Sequence, residues 1–372
     1  MGVPSGLYYQ SRFFSATKAL WRRLADIESR LVHEETAQLT VDRPVYITSL
    51  ARSGTTIVTE MLAQHPHLCS HRYSDFPNVW TPYWRNYLLQ RTRRSSAGMQ
   101  ERAHQDRIQV NNDSPEAVEE VLWMHFFSSR HDATVNQVLD GKIRNSEFDR
   151  FYQQHILKLL AVRRADVDAA TRYLAKANYN LSRIRYILSL FPDARFLIPV
   201  RDPVHHIASL MRQQALFTRA SQEDPRVPLQ MAMSGHFEFG PERVPVNFAD
   251  DGATQASIDD WQQGREAEGW ARTWAQTYRH VHDLLEEFPD LQKACLLFRY
   301  EDLCTRPESL IDTILTHCEL PESGFEPIRE HYIKHLSLAD YYPLNLNAAE
   351  LSQIAHHCDP VNDKLSKFCQ NP

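Results

Sequence analysis

One stretch of the 372-residue chain restricts its fold more than any other: Pro44 to His65, PVYITSLARSGTTIVTEMLAQH. Val45, Tyr46, Ile47 and Leu50 make an apolar run of strand length, and Ile57, Val58, Met61 and Leu62 then recur at helical spacing. Between them lies the loop Ala51-Arg52-Ser53-Gly54, with a helix opening at Thr55-Thr56. A chain that turns from a buried strand straight into a helix aims backbone N–H groups and the positive end of the helix dipole at one point. Such a point is an anion site, most often for phosphate. Arg52 adds a fixed charge, Gly54 permits close approach to the backbone, and Ser53, Thr55 and Thr56 add hydroxyl donors. The same residues also suit an ordinary turn in which Ser and Thr only cap the helix.

The arrangement recurs between Arg172 and Phe217. Tyr173-Leu174-Ala175 reads as a short strand running into Lys176-Ala177-Asn178-Tyr179-Asn180, and Leu181, Ile184, Ile187, Leu188 and Phe191 follow as a helical stripe. Ala194 to Val200 is a second buried strand, ending in Arg201-Asp202-Pro203 before a helix from Val204 to Leu216. Ala294 to Phe298 is a third, running into Arg299-Tyr300-Glu301-Asp302. Alternating strands and helices imply an α/β fold of three layers, a central parallel sheet flanked by helices. Ligands of such sheets bind at the carboxyl ends of the strands, where Arg52, Lys176 and Arg201 would meet.

Residues 1–43 read as a lead-in to a single domain spanning 44–372. An amphipathic helix over 11–32 carries Phe13, Leu20, Trp21, Leu24, Ile27 and Leu31 on one stripe. Its charges, Arg22, Arg23, Glu28 and Arg30, are mixed in sign. Packing on the domain or on a second subunit, as in a homodimer, is therefore expected over a membrane surface, which asks for a strongly basic face. Leu68 to Leu89 is dense in aromatics around His71, Arg72 and Asp75. Phe76, Trp80 and Trp84, with Trp123 further on, either line an apolar pocket or belong to the core. A basic run follows (Arg91, Arg93, Arg94, Arg102, Arg107) and reads as a solvated face. Ser114 is a plausible cap for a helix from Pro115 to Trp123. Residues 219–266 hold four prolines and acidic pairs, and read as an irregular insertion, either a lid or a mobile loop.

The net charge of −6 gives no global attraction to nucleic acid or to an anionic membrane, so any anion site must be local. No apolar run reaches the roughly 20 residues of a membrane span, and the N-terminus lacks a signal-peptide core. Six scattered cysteines show no zinc spacing and suit a reducing compartment. A cytoplasmic protein without a metal site is the expectation.

Three motifs then fall in order: Arg52-Ser53-Gly54-Thr55-Thr56, Arg201-Asp202-Pro203 with Ser209 eight residues after the arginine, and Arg299-Tyr300-Glu301. Together they resemble sulfotransferases that use 3′-phosphoadenosine-5′-phosphosulfate (PAPS). The branch holding protein-tyrosine sulfotransferases and many bacterial small-molecule enzymes is most similar, since His65-Pro66 follows the helix. The resemblance implies a P-loop NTPase-like sulfotransferase fold and PAPS as co-substrate, with no metal. It implies that the first loop holds the 5′-phosphosulfate through Arg52, Ser53, Gly54, Thr55 and Thr56. Arg201 and Ser209 would grip the 3′-phosphate, Lys176 would lie near the sulfonate, and Tyr300 would touch the nucleotide. The aromatics Phe76, Trp80, Trp84 and Trp123 lean toward a small alcohol or phenol, or an amphiphile, as acceptor, whose hydroxyl oxygen would attack the sulfur.

The similar enzymes carry a glutamate about twenty residues past the loop arginine, where this chain has Arg72 and Tyr73. Asp75 is the first substitute, because an aromatic cluster would raise its pKa toward working pH. His71 is the second, and His125 the third. Two other functions stay open. A P-loop kinase or NTPase needs GxxxxGK[ST], but Ser49 stands where the first Gly should be and Thr55 where the Lys should be. A non-catalytic nucleotide-binding protein would keep the loops and lack a base.

Overall fold

In the computed structural model, which describes residues 2–92, 98, 100–101, 109–164, 171–338 and 343–369, five short parallel strands form the centre. They are β1 (Val45–Ile47), β2 (Leu68–Cys69), β3 (Arg172–Lys176), β4 (Arg195–Val200) and β5 (Cys295–Arg299), in the spatial order β2-β3-β1-β4-β5. The chain leaves β1 for one side of the sheet and crosses back past it to build the other. This opens a crevice at the carboxyl end of β1. Register places Ile47 beside Lys176 on one flank and beside Leu197 on the other. The basic run Arg93, Arg94, Arg102 and Arg107 lies outside the described residues.

Alternation along the strands divides the core into two layers. Val45, Ile47, Leu174, Leu197 and Phe298 face the helices Thr55–Leu62, Pro307–His317 and Glu326–His335. Tyr46, Tyr173, Phe196 and Ile198 face Ser146–Arg164, Pro203–Glu223, Glu266–Glu287 and Ala348–Ser366. Helix Pro203–Glu223 begins sharply because Asp202 accepts the His205 amide at 3.1 Å and Pro203 occupies its first turn. All six cysteines are free thiols, five of them buried. No helix among the described residues is long and apolar enough to cross a membrane.

Three segments differ from the sequence reading. The single helix expected over 11–32 is two, Ser5–Ala16 and Lys18–Leu31, followed by a short turn of helix His33–Thr36. Their inner face is held by charges: Arg22 reaches Glu147 at 3.2 Å, and Glu28 pairs with Lys158 at 2.8 Å with both side chains buried. Because these pairs occupy the packed side, most of the apolar stripe faces outward. Residues 219–266 are ordered by two helices, Arg226–Ser234 and Ala253–Gln262. The strap between them buries Phe239 and Phe248 and sets the Arg243 guanidinium 3.9 Å from the centre of the Trp261 ring. The helix expected from Pro115 starts instead at Glu120. Pro115 pairs with Arg72 as an antiparallel bridge, so 114–116 runs extended alongside 71–73.

Burial keeps several histidines neutral. It lowers His206 to about 3 and both His280 and His317 to about 4, and it takes His155 well below its ordinary value. Folded values below the unfolded 6.5 mean that this stability is complete above pH 6.5 and drains away as pH falls toward 4 and below. Unfolding at pH 5 should therefore take up roughly two to four protons. Urea midpoints should fall between pH 7 and pH 5; an unchanged midpoint would contradict the neutral assignment.

Candidate active site

The loop after β1 is stapled before it turns. The Thr48 amide donates to Leu197 O at 3.0 Å, and the Ser49 hydroxyl donates to Pro199 O at 2.7 Å and meets Tyr278 at 2.8 Å. Arg52 (φ 72°) and Gly54 (φ 99°) then take left-handed backbone conformations. Ser53 between them is fully buried, and its hydroxyl has no hydrogen-bond partner among the described residues. A Cβ on Gly54 would fall 2.4 Å from Cδ2 of Tyr300. Glycine is thus required twice, for its φ and for the ring lying on its backbone.

Arg201, at the end of β4, is buried beside this loop. It donates to Arg52 O at 3.3 Å, its guanidinium carbon lies 5.2 Å from the centre of the Tyr300 ring, and its Nε has no partner among the described residues. Arg52 Nε in turn points at the Ser209 hydroxyl, 3.4 Å away. The structure thereby brings together Arg52, Ser53, Gly54, Arg201, Ser209 and Tyr300, with Thr55 and Thr56 at the helix start. Two ties absent from the sequence reading fix the cluster. The Asp202 amide donates to Glu301 at 3.0 Å, and His206 Nε2 sits 2.7 Å from Ala51 O. Held neutral by burial, His206 donates that proton to the carbonyl. The Asp-Pro-x-x-His spacing was visible, but its meaning depends on Ala51 lying one strand away.

At the other end of the crevice Lys176 closes β3. Around it stand Glu116, Tyr73, His236, Glu238 and Asn178. Burial, the largest influence on Glu116, pushes its pKa up. The Lys176 and His236 charges and a hydrogen bond from Tyr73 outweigh it, and the carboxylate is held below its usual range. Glu238 accepts from Asn178 at 2.8 Å and faces His236 at 3.6 Å. Burial again acts first and opposes, yet Glu238 stays lowered, and His236 is raised against its own burial by Glu238 and Glu116. Glu116 escapes sequence reading because it was placed in a helix; the Glu116 amide instead donates to His71 O at 3.0 Å.

Asp75 corrects the expectation of a raised carboxyl. It is 3% exposed, ion-paired to Arg163 at 2.9 Å, capped by the Arg72 amide at 2.9 Å and bonded to His71 at 3.2 Å. Burial alone would raise it, but these partners hold it well below the ordinary carboxylate value. His71 is equally enclosed, with its other nitrogen 3.0 Å from His155. Both side chains belong to an interior polar network. His125 packs against Trp80 with ring centres 5.0 Å apart, away from Lys176's carboxylates, and burial lowers it.

The four aromatics do not form one wall. Trp123 is core, enclosed by Phe148 and Tyr152 with Arg183 stacked at 4.5 Å. Trp84 is half-buried where its amide donates to Glu28. Trp80 is buried, and Phe76 and Trp80 border a cleft shared with Val121, Met124 and Met233. Among the described residues no group of three or more His, Cys, Asp or Glu side chains could hold a metal ion.

A model of the Sulfotransferase family matches residues 44–237, slightly more than half of the chain. A solved sulfotransferase from Mycobacterium avium is similar at 15% identity, covering 90% of this chain and 78% of its own, with a TM-score of 0.48. One from Mycobacterium tuberculosis H37Rv is similar at 17% identity, covering 93% and 85%, also with a TM-score of 0.48. Curated protein sequences gave no match.

Proposed function

The chain belongs to the sulfotransferase family, and we propose that it transfers the sulfuryl group of PAPS to the hydroxyl of an apolar alcohol or phenol. One observation carries the choice of donor: two buried polar atoms, the Ser53 hydroxyl in the loop and Nε of the Arg201 that donates to it, have no partner among the described residues. Buried donors of this kind need an acceptor, and a nucleotide with phosphate at both its 5′ and 3′ positions offers one to each. Tyr300, against Gly54 and Arg201, supplies a flat apolar wall for the adenosine between them. A kinase reading is weaker, since Thr55 replaces the phosphate-gripping lysine and the Ser49 hydroxyl is spent on Pro199.

PAPS supplies an activated sulfonate whose leaving group is the phosphate of adenosine 3′,5′-bisphosphate. The chain's own residues hold and polarise. Arg52 and the helix N-terminus neutralise charge at the bridging oxygen, and Lys176 does so at the sulfonate. The acceptor oxygen approaches in line, and Glu116 takes its proton as the new S–O bond forms and the old one breaks. A lowered Glu116 is a weak base in the free enzyme. An anion bound at Lys176 would consume part of the charge that lowers it, so substrate binding itself raises the base toward working strength.

The test is an acceptor screen with purified protein and PAPS, read by mass spectrometry. Adenosine 3′,5′-bisphosphate and a sulfated hydroxyl compound should appear together. Thermal stabilisation by ATP with Mg²⁺ but not by adenosine 3′,5′-bisphosphate would overturn the reading in favour of a kinase.

A further inference from the structure

Helices Ser5–Ala16 and Lys18–Leu31 carry large apolar side chains on the side away from the domain. Tyr9 and Phe13 are 66% and 54% exposed; Leu20, Ile27 and Leu31 are 53%, 40% and 68% exposed. A spacing of four sets the first pair on one helical face, and spacings of seven and four do the same for the second group. Arg12 joins the first face and Arg23 and Arg30 the second, all exposed.

Of the two acids of these helices, Glu28 is sealed against Lys158, and Asp26, half exposed, is paired with Arg22 at 2.7 Å. The exposed charge is therefore mostly basic, with Arg12, Arg23 and Arg30 against the one paired carboxylate of Asp26. Glu34 and Glu35 come only in the next short helix, His33–Thr36. In a chain of net charge −6, this is a local concentration of positive charge around exposed apolar groups.

We propose that this outward face docks on a lipid bilayer bearing anionic headgroups. The apolar side chains enter the headgroup boundary, and Arg12, Arg23 and Arg30 meet lipid phosphates and carboxylates. Charge decides against a second copy of the chain on the same face. An isologous contact sets a patch against itself, so three arginines would meet three arginines, with only Asp26, already paired to Arg22, to offset them.

The experiment is co-sedimentation of the full chain with vesicles of phosphatidylcholine, with and without phosphatidylserine, at low and high salt. Binding should require phosphatidylserine and weaken with salt. The double variant Leu20→Glu/Ile27→Glu should lower the bound fraction about tenfold, and Arg23→Gln/Arg30→Gln should lower it for anionic vesicles. Both variants change exposed residues, and an unaltered thermal shift with adenosine 3′,5′-bisphosphate would verify their fold. Equal binding to neutral vesicles, or none to anionic ones, overturns the proposal. So does a dimer in sedimentation velocity that Leu20→Glu/Ile27→Glu dissolves, since the face would then be a self-association surface.

Discussion

Replacing Glu116 by Gln should lower turnover by about a hundredfold to ten-thousandfold, the usual yield of a positioned general base. Affinity for adenosine 3′,5′-bisphosphate should stay within about twofold, because Glu116 lies at the Lys176 end of the crevice, away from the Arg201 clamp. Gln keeps the shape and can still accept from the Ala117 amide, which donates to Glu116 at 2.7 Å. It removes the negative charge that the Lys176 and His236 cations face. Steady-state kinetics at saturating PAPS measure the effect. Activity that survives in Glu116→Gln but is lost in His236→Gln would move the base to His236. That ring is already oriented by Glu238, which is itself held by Asn178.

Arg201→Ala should weaken adenosine 3′,5′-bisphosphate binding by about tenfold to a hundredfold, equivalent to about 1.5–3 kcal/mol for a charge-assisted bond. The variant also loses a contact to Arg52 O, so the loss alone does not identify the 3′-phosphate. The comparison with adenosine 5′-phosphate does. Calorimetry should find the deficit confined to the bisphosphate. An equal loss for both nucleotides would mean that Arg201 acts only by bracing the loop.

The cluster around Arg52 and Arg201, proposed to hold the nucleotide, was legible as a cluster because it is written in local backbone grammar. A strand that runs into Arg52-Ser53-Gly54 and a helix has one way to aim its amides, and Arg201 sits on the neighbouring strand by the same rule. Ser209 follows from helical spacing. The acceptor half was not legible, because it is made by long-range pairing. Glu116 reaches Lys176 only because 114–116 runs beside 71–73, and His236 only because the strap after Ser234 folds back. Asp75 misled for a related reason: its aromatic neighbours are adjacent in sequence, but its decisive partner, Arg163, comes from a distant helix. The outward stripe of the N-terminal helices was visible as a stripe. Which side it faced depended on Lys158 and Glu147, which no local pattern announces.

The ring of Tyr300 against Gly54 has a consequence for synthesis. Domains take shape from the N-terminus as the chain emerges. A nascent chain ending with helix Glu266–Glu287 would already hold Arg52, Lys176, Arg201 and Ser209, but neither β5 nor the ring that follows it. The Tyr300 ring and the Glu301 tie to Asp202 are added late, with the strand that completes one edge of the sheet. If the loop holds a nucleotide as proposed, capture would be a checkpoint on a finished molecule, since a truncated product would carry the charged loop without the ring that covers it.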